Sequence, residues 1–402
     1  MADAIVPAAD ASEERAVAPA VTVARVRPWQ ARMGITRLAD LTGLDRIGVP
    51  VFASIRPNSR SVVTSQGKGL TADAARAGAL MESVERWHAE TIVAPLRLAS
   101  AAELAGEPCL AVQRLSLRAG QRFDPHRPLL WIEGHELDAG KPVWLPYELV
   151  HTDYRLPQPS AAGCFPVGTT GLAAGNTLAE AICSALCELI ERDATSLWHQ
   201  RPASQRHATV IDPATVDDPR CRLLLGRLEA AGFAVALFET TSDLAGPAYM
   251  ALLVDRRDAV GHPGLGTACH PRPEVALLKA LLEAVQVRMS YIVGARDDMA
   301  PEEFSGVGPQ EKLRWLEPLL AVPRRRVFAA KSGFVGDAAA QVEQIRARLH
   351  AVGLDQVVVV DLTRTEIDLP VVRAVVPGLE ACSDEPDYAP GARARASGGV
   401  EP

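Results

Sequence analysis

The chain has 402 residues, of which 48% are hydrophobic and 23% charged, a composition that excludes disorder as a whole and leaves room for one large domain or two ordinary ones. Its 42 basic residues stand against 49 acidic ones, a net charge of −7, so no general pull toward nucleic acid or an anionic membrane is expected. No apolar run reaches the roughly 18 residues of a spanning helix, and Asp3, Asp10, Glu13 and Glu14 are unlike a signal peptide, so a soluble, cytoplasmic protein is expected.

In chain order, residues 1–24, with Ala, Pro and acids but no sustained period, read as a flexible tail. A β-branched run predicts a strand over 49–55, and apolar periodicity predicts a helix over 72–90. Strands follow at 129–133 and 143–145, joined by a turn at Asp138-Ala-Gly-Lys141. Helices are predicted over 178–198, 222–231, 275–293 and 338–352, with strands at 234–239, 249–255 and 357–362 between and after them. Residues 383–402 read as a second flexible tail, whose removal after Ser383 is expected to matter little. The alternation predicts an α/β (α+β mixed) fold with a mixed sheet. No Gly/Ser linker divides residues 25–382, which are taken as one domain.

Seven cysteines in a long chain (Cys109, Cys164, Cys183, Cys187, Cys221, Cys269, Cys382) are an odd, scattered set, which predicts reduced thiols. Cys183 and Cys187 lack a nearby Cys or His pair and read as core-filling residues, not zinc ligands.

One pattern recurs in three predicted helices: Ala79-Leu-Met-Glu82-Ser-Val-Glu85-Arg86, Ala185-Leu-Cys-Glu188-Leu-Ile-Glu191-Arg192 and Ala280-Leu-Leu-Glu283-Ala-Val-Gln286-Val-Arg288. Copies about a hundred residues apart do not make a solenoid and fit three pseudo-equivalent helices around one site. Thr71 and Thr177 stand where N-caps would, each two residues after a glycine, Gly69 and Gly175. On a wheel at about 100° per residue with Asn176 at the origin, Glu180, Glu191, Ser184 and Glu188 fall at about 40°, 60°, 80° and 120°.

Acids on one helix face are ordinarily a solvated face, and Thr177-Leu-Ala-Glu180 also spells a capping box. Against that reading, no Lys or Arg stands between Glu180 and Glu191, and carboxylates about 4 Å apart repel by about 4 kcal/mol at an effective dielectric of about 20. An oxygen-rich stripe suits Mg²⁺, which usually bridges to substrate phosphates and so points to a nucleotide. Ser65-Gln-Gly67-Lys68-Gly69 is not a Walker A loop, yet its glycines permit close backbone approach and Lys68 adds charge ahead of a helix N-terminus.

The joint pattern resembles the YcaO family. The match comprises Gly-Ile-Thr-Arg37-Leu-Ala-Asp-Leu-Thr-Gly-Leu-Asp-Arg46-Ile-Gly-Val-Pro-Val, Ser65-Gln-Gly-Lys68-Gly with its Glu82 and Glu85 helix, Gly171-Leu-Ala-Ala-Gly-Asn176 through Glu180 to Glu188-Leu-Ile-Glu191-Arg192-Asp193, and Glu283-Ala-Val-Gln286-Val-Arg288. The resemblance implies an ATP- and Mg²⁺-dependent enzyme that phosphorylates a peptide amide oxygen so that a nucleophile can replace it. It assigns Glu82, Glu85, Glu180, Glu188 and Glu191 to Mg²⁺ and phosphate. Asn176, Ser184, Arg192 and Gln286, with Glu82 and Glu180, go to the nucleotide, and Lys68 and Arg288 to catalysis. Arg288, which would contact the nucleotide, lies about 200° from Gln286 on the wheel, so both reach one site only if the helix ends there or is enclosed.

The chain ends Ala-Ser-Gly-Gly-Val-Glu-Pro402, without the Pro-x-Pro-x-Pro tail and fused partner domain of azoline-forming members. Arg373-Ala-Val-Val-Pro377-Gly378-Leu379-Glu380 instead resembles the branch that works with TfuA-type partners. Thioamide formation on a peptide or protein substrate, with a TfuA-like partner and a sulfide source, is therefore expected, in a possible homodimer. An azoline-forming cyclodehydratase and a non-catalytic nucleotide-binding scaffold are the alternatives.

Overall fold

The computed structural model describes residues 15–157, 163–257, 262–299, 301–304, 307–323, 326–329, 333–385 and 387–398. Its strands are β1 (Arg37–Asp40), β2 (Val51–Ile55), β3 (Thr64–Lys68), β4 (Leu96–Ala99), β5 (Leu129–Glu136), β6 (Lys141–Pro146), β7 (Leu172–Ala174), β8 (Val210–Ile211), β9 (Phe233–Glu239), β10 (Ala248–Asp255), β11 (Gly264–Cys269), β12 (Val358–Asp361) and β13 (Val371–Val375). Its helices are α1 (Pro19–Val26), α2 (Ala72–Glu90), α3 (Leu178–Gln200), α4 (Ala203–His207), α5 (Pro219–Ala230), α6 (Pro273–Val293), α7 (Val307–Leu320), α8 (Ala338–Ala351) and α9 (Ala392–Ser397).

These elements form two compact units where one domain was expected. The first comprises Met1–Ser83, Pro202–Thr241 and Gly246–Val335, and the second Val84–Arg201, Ser242–Ala245 and Gly336–Pro402. The first boundary falls inside α2 and the next just past α3, so no linker composition marks either one.

The first unit holds a three-stranded sheet, β1-β2-β3, and a four-stranded one, β11-β10-β9-β8. Every residue of β10 is buried, and Leu237, Ala251, Leu253 and Ala268 form one core with Ala276, Leu277, Ala280 and Leu281 of α6. Gly264 and Gly266 make this packing possible, since a Cβ at either would come within 2.1–2.2 Å of a backbone oxygen of Ala284 or Ala280. Gly67 does the same for α2: its Cβ would meet Ala75 O at 2.1 Å and Ala79 N at 2.2 Å. The glycine expected to admit a phosphate therefore admits a helix.

In the second unit the sheet order is β4-β5-β12-β13-β7, with β6 paired to β5. The β5–β6 hairpin turns where Asp138-Ala-Gly140-Lys141 predicts, with Gly140 at φ 61°. Among the described residues the strand ladders of all three sheets are antiparallel, and the mixed character comes down to single parallel bridges, Cys109 with Trp144 and Ile211 with Arg326. All seven cysteines are free thiols, and Cys183 and Cys187 are buried in α3 as expected.

The two predicted tails differ from expectation in what is described of them. Pro19–Val26 is helical, with Pro19 at its first turn, while residues 1–14 lie outside the described residues. Beyond residue 383 the chain folds onto the second unit. Arg393 of α9 grips the fully buried Asp193 with Nε at 2.9 Å and Nη2 at 3.0 Å, and Nη2 also reaches Asp243 at 2.6 Å. Buried Glu380 accepts from Tyr388 Oη, Gly391 N and Ala394 N at 3.1, 2.8 and 2.9 Å. The composition of 383–398 looks loose because these contacts use isolated polar residues instead of an apolar face.

Candidate functional site

Each unit carries part of the predicted residue set. In the first, β3 is short and polar, Thr-Ser-Gln-Gly-Lys, yet its first four residues are buried between β2 and the helices. Polar groups there need partners. Gln66 N–H donates to Glu82 Oε2 at 2.8 Å, and Gln66 Oε1 accepts from Ser290 Oγ at 2.6 Å. Lys68 Nζ pairs with Glu283 Oε2 at 3.2 Å, both side chains being partly exposed. Two buried atoms close by, Gln66 Nε2 and Gln286 Oε1, make no hydrogen bond among the described residues. Each such atom costs about 1–3 kcal/mol unless a ligand or water meets it.

Arg288 goes elsewhere. It is buried, with Nη2 3.1 Å from Asp255 Oδ2, Nη1 donating to His262 O at 3.1 Å, and its guanidinium 5.1 Å from the Phe233 ring centre. Asp255 also takes Arg46 and Arg257 N–H. Burial pushes the Asp255 carboxyl up, but the bonds from Arg46 and Arg257 and the charge of Arg288 outweigh it and hold it below the usual carboxylate range. The wheel mismatch between Gln286 and Arg288 thus ends in two destinations, and Arg288 braces β10.

In the second unit, Thr177 caps α3, accepting from Glu180 N at 3.2 Å. Glu180 reaches back to Asn176 N–H at 2.8 Å, much as the capping-box spelling implies. Glu85 Oε1 accepts from Ala174 N at 2.8 Å and Glu188 Oε2 from Gly171 N at 3.0 Å. Arg192 supplies the cation that the stretch 180–191 lacks, 3.6 Å from Glu188 at i,i+4 and 3.4 Å from Glu191. Ser184 lies on α3 between Glu180 and Glu188, half-buried.

The repeat proposed from sequence has a structural counterpart. Glu82 accepts a backbone N–H from 16 residues upstream and Glu188 one from 17 upstream. Each is thereby fixed to the segment that feeds its helix. In the third copy Glu283 takes the Lys68 ammonium instead. Glu283, Gln66 and Ser290 were not singled out as site residues, and only the repeat alignment of Glu283 with Glu82 and Glu188 signals one of them.

Do these residues suit Mg²⁺ and a nucleotide? Glu180 and Glu191 are only 7% and 9% exposed, and buried carboxylates demand donors or cations. Backbone N–H groups and Arg192 are among the donors these glutamates meet, and the set is all oxygen, as Mg²⁺ requires. Among the described residues no three His, Cys, Asp or Glu side chains are grouped to hold a metal ion. Mg²⁺ seldom uses such a cage, taking one or two carboxylates with waters and phosphate oxygens. The donor chemistry therefore fits a magnesium–nucleotide, with no preformed metal cage.

Comparison with known proteins agrees. Residues 66–380 match the family described as YcaO cyclodehydratase, ATP- and Mg²⁺-binding. A Rhizobium leguminosarum bv. trifolii protein, described as uncharacterized and in a tfuA 3' region, is 34% identical over 375 residues, 91% of this chain and 89% of its own length. YcaO from Methanopyrus kandleri, solved with AMPPCP and Mg²⁺, superposes with a TM-score of 0.70 at 25% identity, covering 97% of this chain and all of that one. A heterocyclase solved with substrate and cofactor superposes with a TM-score of 0.76 at 22% identity over 91% of this chain, which spans about half, 53%, of that protein's length. No helix among the described residues is long and apolar enough to cross a membrane. By the matched pattern together with a relative 34% identical over 91% of this chain, the chain belongs to the YcaO family.

Proposed function

We propose that the chain uses ATP and Mg²⁺ to phosphorylate a peptide backbone amide on oxygen, and that sulfide then replaces that oxygen to give a thioamide. The amide oxygen attacks the γ-phosphorus and ADP leaves; sulfide adds to the amide carbon; the C–O bond breaks and phosphate departs with the original oxygen. Mg²⁺, when bound, would neutralise charge developing on the transferred group. Glu82, Glu85, Glu180, Glu188 and Glu191 hold the metal and phosphates in this reading, with Asn176, Ser184, Arg192 and Gln286 toward the nucleotide. Lys68, ion-paired to Glu283, would exchange that partner for a phosphate oxygen in this reading.

The observation that carries the sulfur chemistry is the tfuA neighbourhood of the Rhizobium relative, which supports a TfuA-like partner delivering or presenting sulfide. The family's cyclodehydratase character supports a second reading, in which a Cys, Ser or Thr side chain of the substrate attacks and water is lost overall. Mass spectrometry of a peptide treated with the full chain, ATP, Mg²⁺, sulfide and the partner separates them. Exchange of oxygen for sulfur is expected, and loss of one water would overturn the thioamide reading.

A further inference from the structure

The second unit contains a cavity of about 300 Å³, at the lower end of the range usual for small-molecule sites. One side is apolar, with Leu117, Leu149, Val167, Leu189 and Leu379 among its walls. On another stands Arg373, the first residue of the Arg-Ala-Val-Val-Pro-Gly-Leu-Glu motif. Its side chain is where a cation is expensive to keep. It is 6% exposed, Nη1 donates to Gly168 O at 2.9 Å, and Nε is buried with no hydrogen-bond partner among the described residues. Among the described residues no carboxylate forms an ion pair with it.

The acids that share the cavity wall are otherwise engaged or exposed. Glu380 takes three donors from the C-terminal segment, Asp387 is bound by Arg118, and Glu385 is exposed. Elsewhere in this protein buried arginines meet carboxylates, as Arg288 meets Asp255 and Arg393 meets Asp193. An arginine buried without one is stabilised once an oxyanion arrives, because guanidinium binds carboxylate or phosphate in a two-point geometry.

We propose that this cavity is a binding subsite for an oxyanion carried on an apolar body, with Arg373 as the residue that receives the charge. Carboxylate and phosphate share the required chemistry. A carboxylate would come from the peptide substrate, and a phosphate from the inorganic pool. Burial lowers the Arg373 guanidinium affinity for its proton, and the charges of Tyr154 and Glu188 offset this only in part, so an arriving anion would restore it further.

Binding needs neither ATP nor turnover, so it is tested apart from the amide-activation reading. The full chain is titrated calorimetrically with N-acetyl-dileucine as the free acid, with its carboxamide, and with inorganic phosphate. Saturable binding of the acid with at least tenfold weaker binding of the carboxamide identifies a peptide carboxylate. Binding of phosphate alone identifies the inorganic source. Arg373→Met should abolish either signal, and Arg373→Lys should keep part of it. Without ligand, Arg373→Met should also melt no lower than the parent, because it removes a buried cation that lacks an ion-pair partner. Leu189→Trp, which fills the cavity and leaves the charge, should weaken binding as well. No binding of acid or phosphate to the parent chain, or equal binding to Arg373→Met, would overturn the proposal.

Discussion

Removing the Arg393 side chain tests whether the C-terminal segment is part of the fold. Arg393 closes two bonds on Asp193, whose side chain is wholly buried, and holds Asp243 at the surface. After Arg393→Ala, Asp193 keeps, among the described residues, only the Glu380 N–H at 3.0 Å. Breaking a buried pair from one side typically costs about 3–5 kcal/mol, because the remaining charge stays in low dielectric. Burial already pushes the Asp193 carboxyl up, with Arg393 the main opposing influence. The variant carboxyl therefore rises further and takes up a proton in the folded state more readily. Folded protons then exceed unfolded ones above the ordinary carboxylate pKa, so the deficit is greatest near neutral pH and shrinks as pH falls toward that pKa. Urea unfolding followed by fluorescence between pH 5 and 8 measures it, and Asp193→Asn combined with Arg393→Met should recover most of the loss. A deficit below about 0.5 kcal/mol at pH 7, as expected of an exposed tail, would refute the reasoning.

Glu188→Gln should leave stability within about 1 kcal/mol, since the amide oxygen still accepts from Gly171 N–H, while ATP turnover falls by about a hundredfold or more; unchanged ATP consumption would return this residue to an ordinary solvated face. Gly67→Ala should cost about 3 kcal/mol or more by forcing a Cβ into the α2 backbone; a normal melting temperature with a raised KM for ATP would show instead a phosphate-binding glycine. Asp255→Asn removes the charge that holds Arg46 and Arg288. It should lower stability at neutral pH and flatten the acid limb, because a carboxyl held below its ordinary pKa stabilises above that pKa and loses this as pH falls. An unchanged acid profile would remove Asp255 from the account.

Helices were the legible part of the fold. The period over 72–90 coincides with α2, and 275–293 misses only the Pro273-Glu274 start of α6. Of the strands that the sequence pattern does not predict, β13 is β-branched like the predicted ones, whereas β3 and β11 have compositions that serve something other than β propensity. Thr64–Lys68 is polar because it meets Glu82 and Ser290, and Gly264–Cys269 alternates glycine because α6 lies directly on it. The repeat spacing of Glu82 and Glu188, each bonded to a backbone N–H upstream of its helix, was legible in the sequence, and so was the Glu180 cap. Pairings distant in sequence were not: Lys68 finds Glu283 215 residues away, and Arg393 finds Asp193 200 residues away. Arg192, one residue beyond the stretch that lacks cations, is the i,i+4 partner of Glu188 that this stretch does not itself supply.

The claim on which the proposed reaction depends is that the amide oxygen leaves as phosphate. A peptide labelled with ¹⁸O at the modified amide, treated with the full chain, its partner, sulfide, ATP and Mg²⁺, reports this directly in the mass of the inorganic phosphate released. The account predicts one labelled oxygen in that phosphate for each amide converted. Unlabelled phosphate released alongside converted peptide would contradict it.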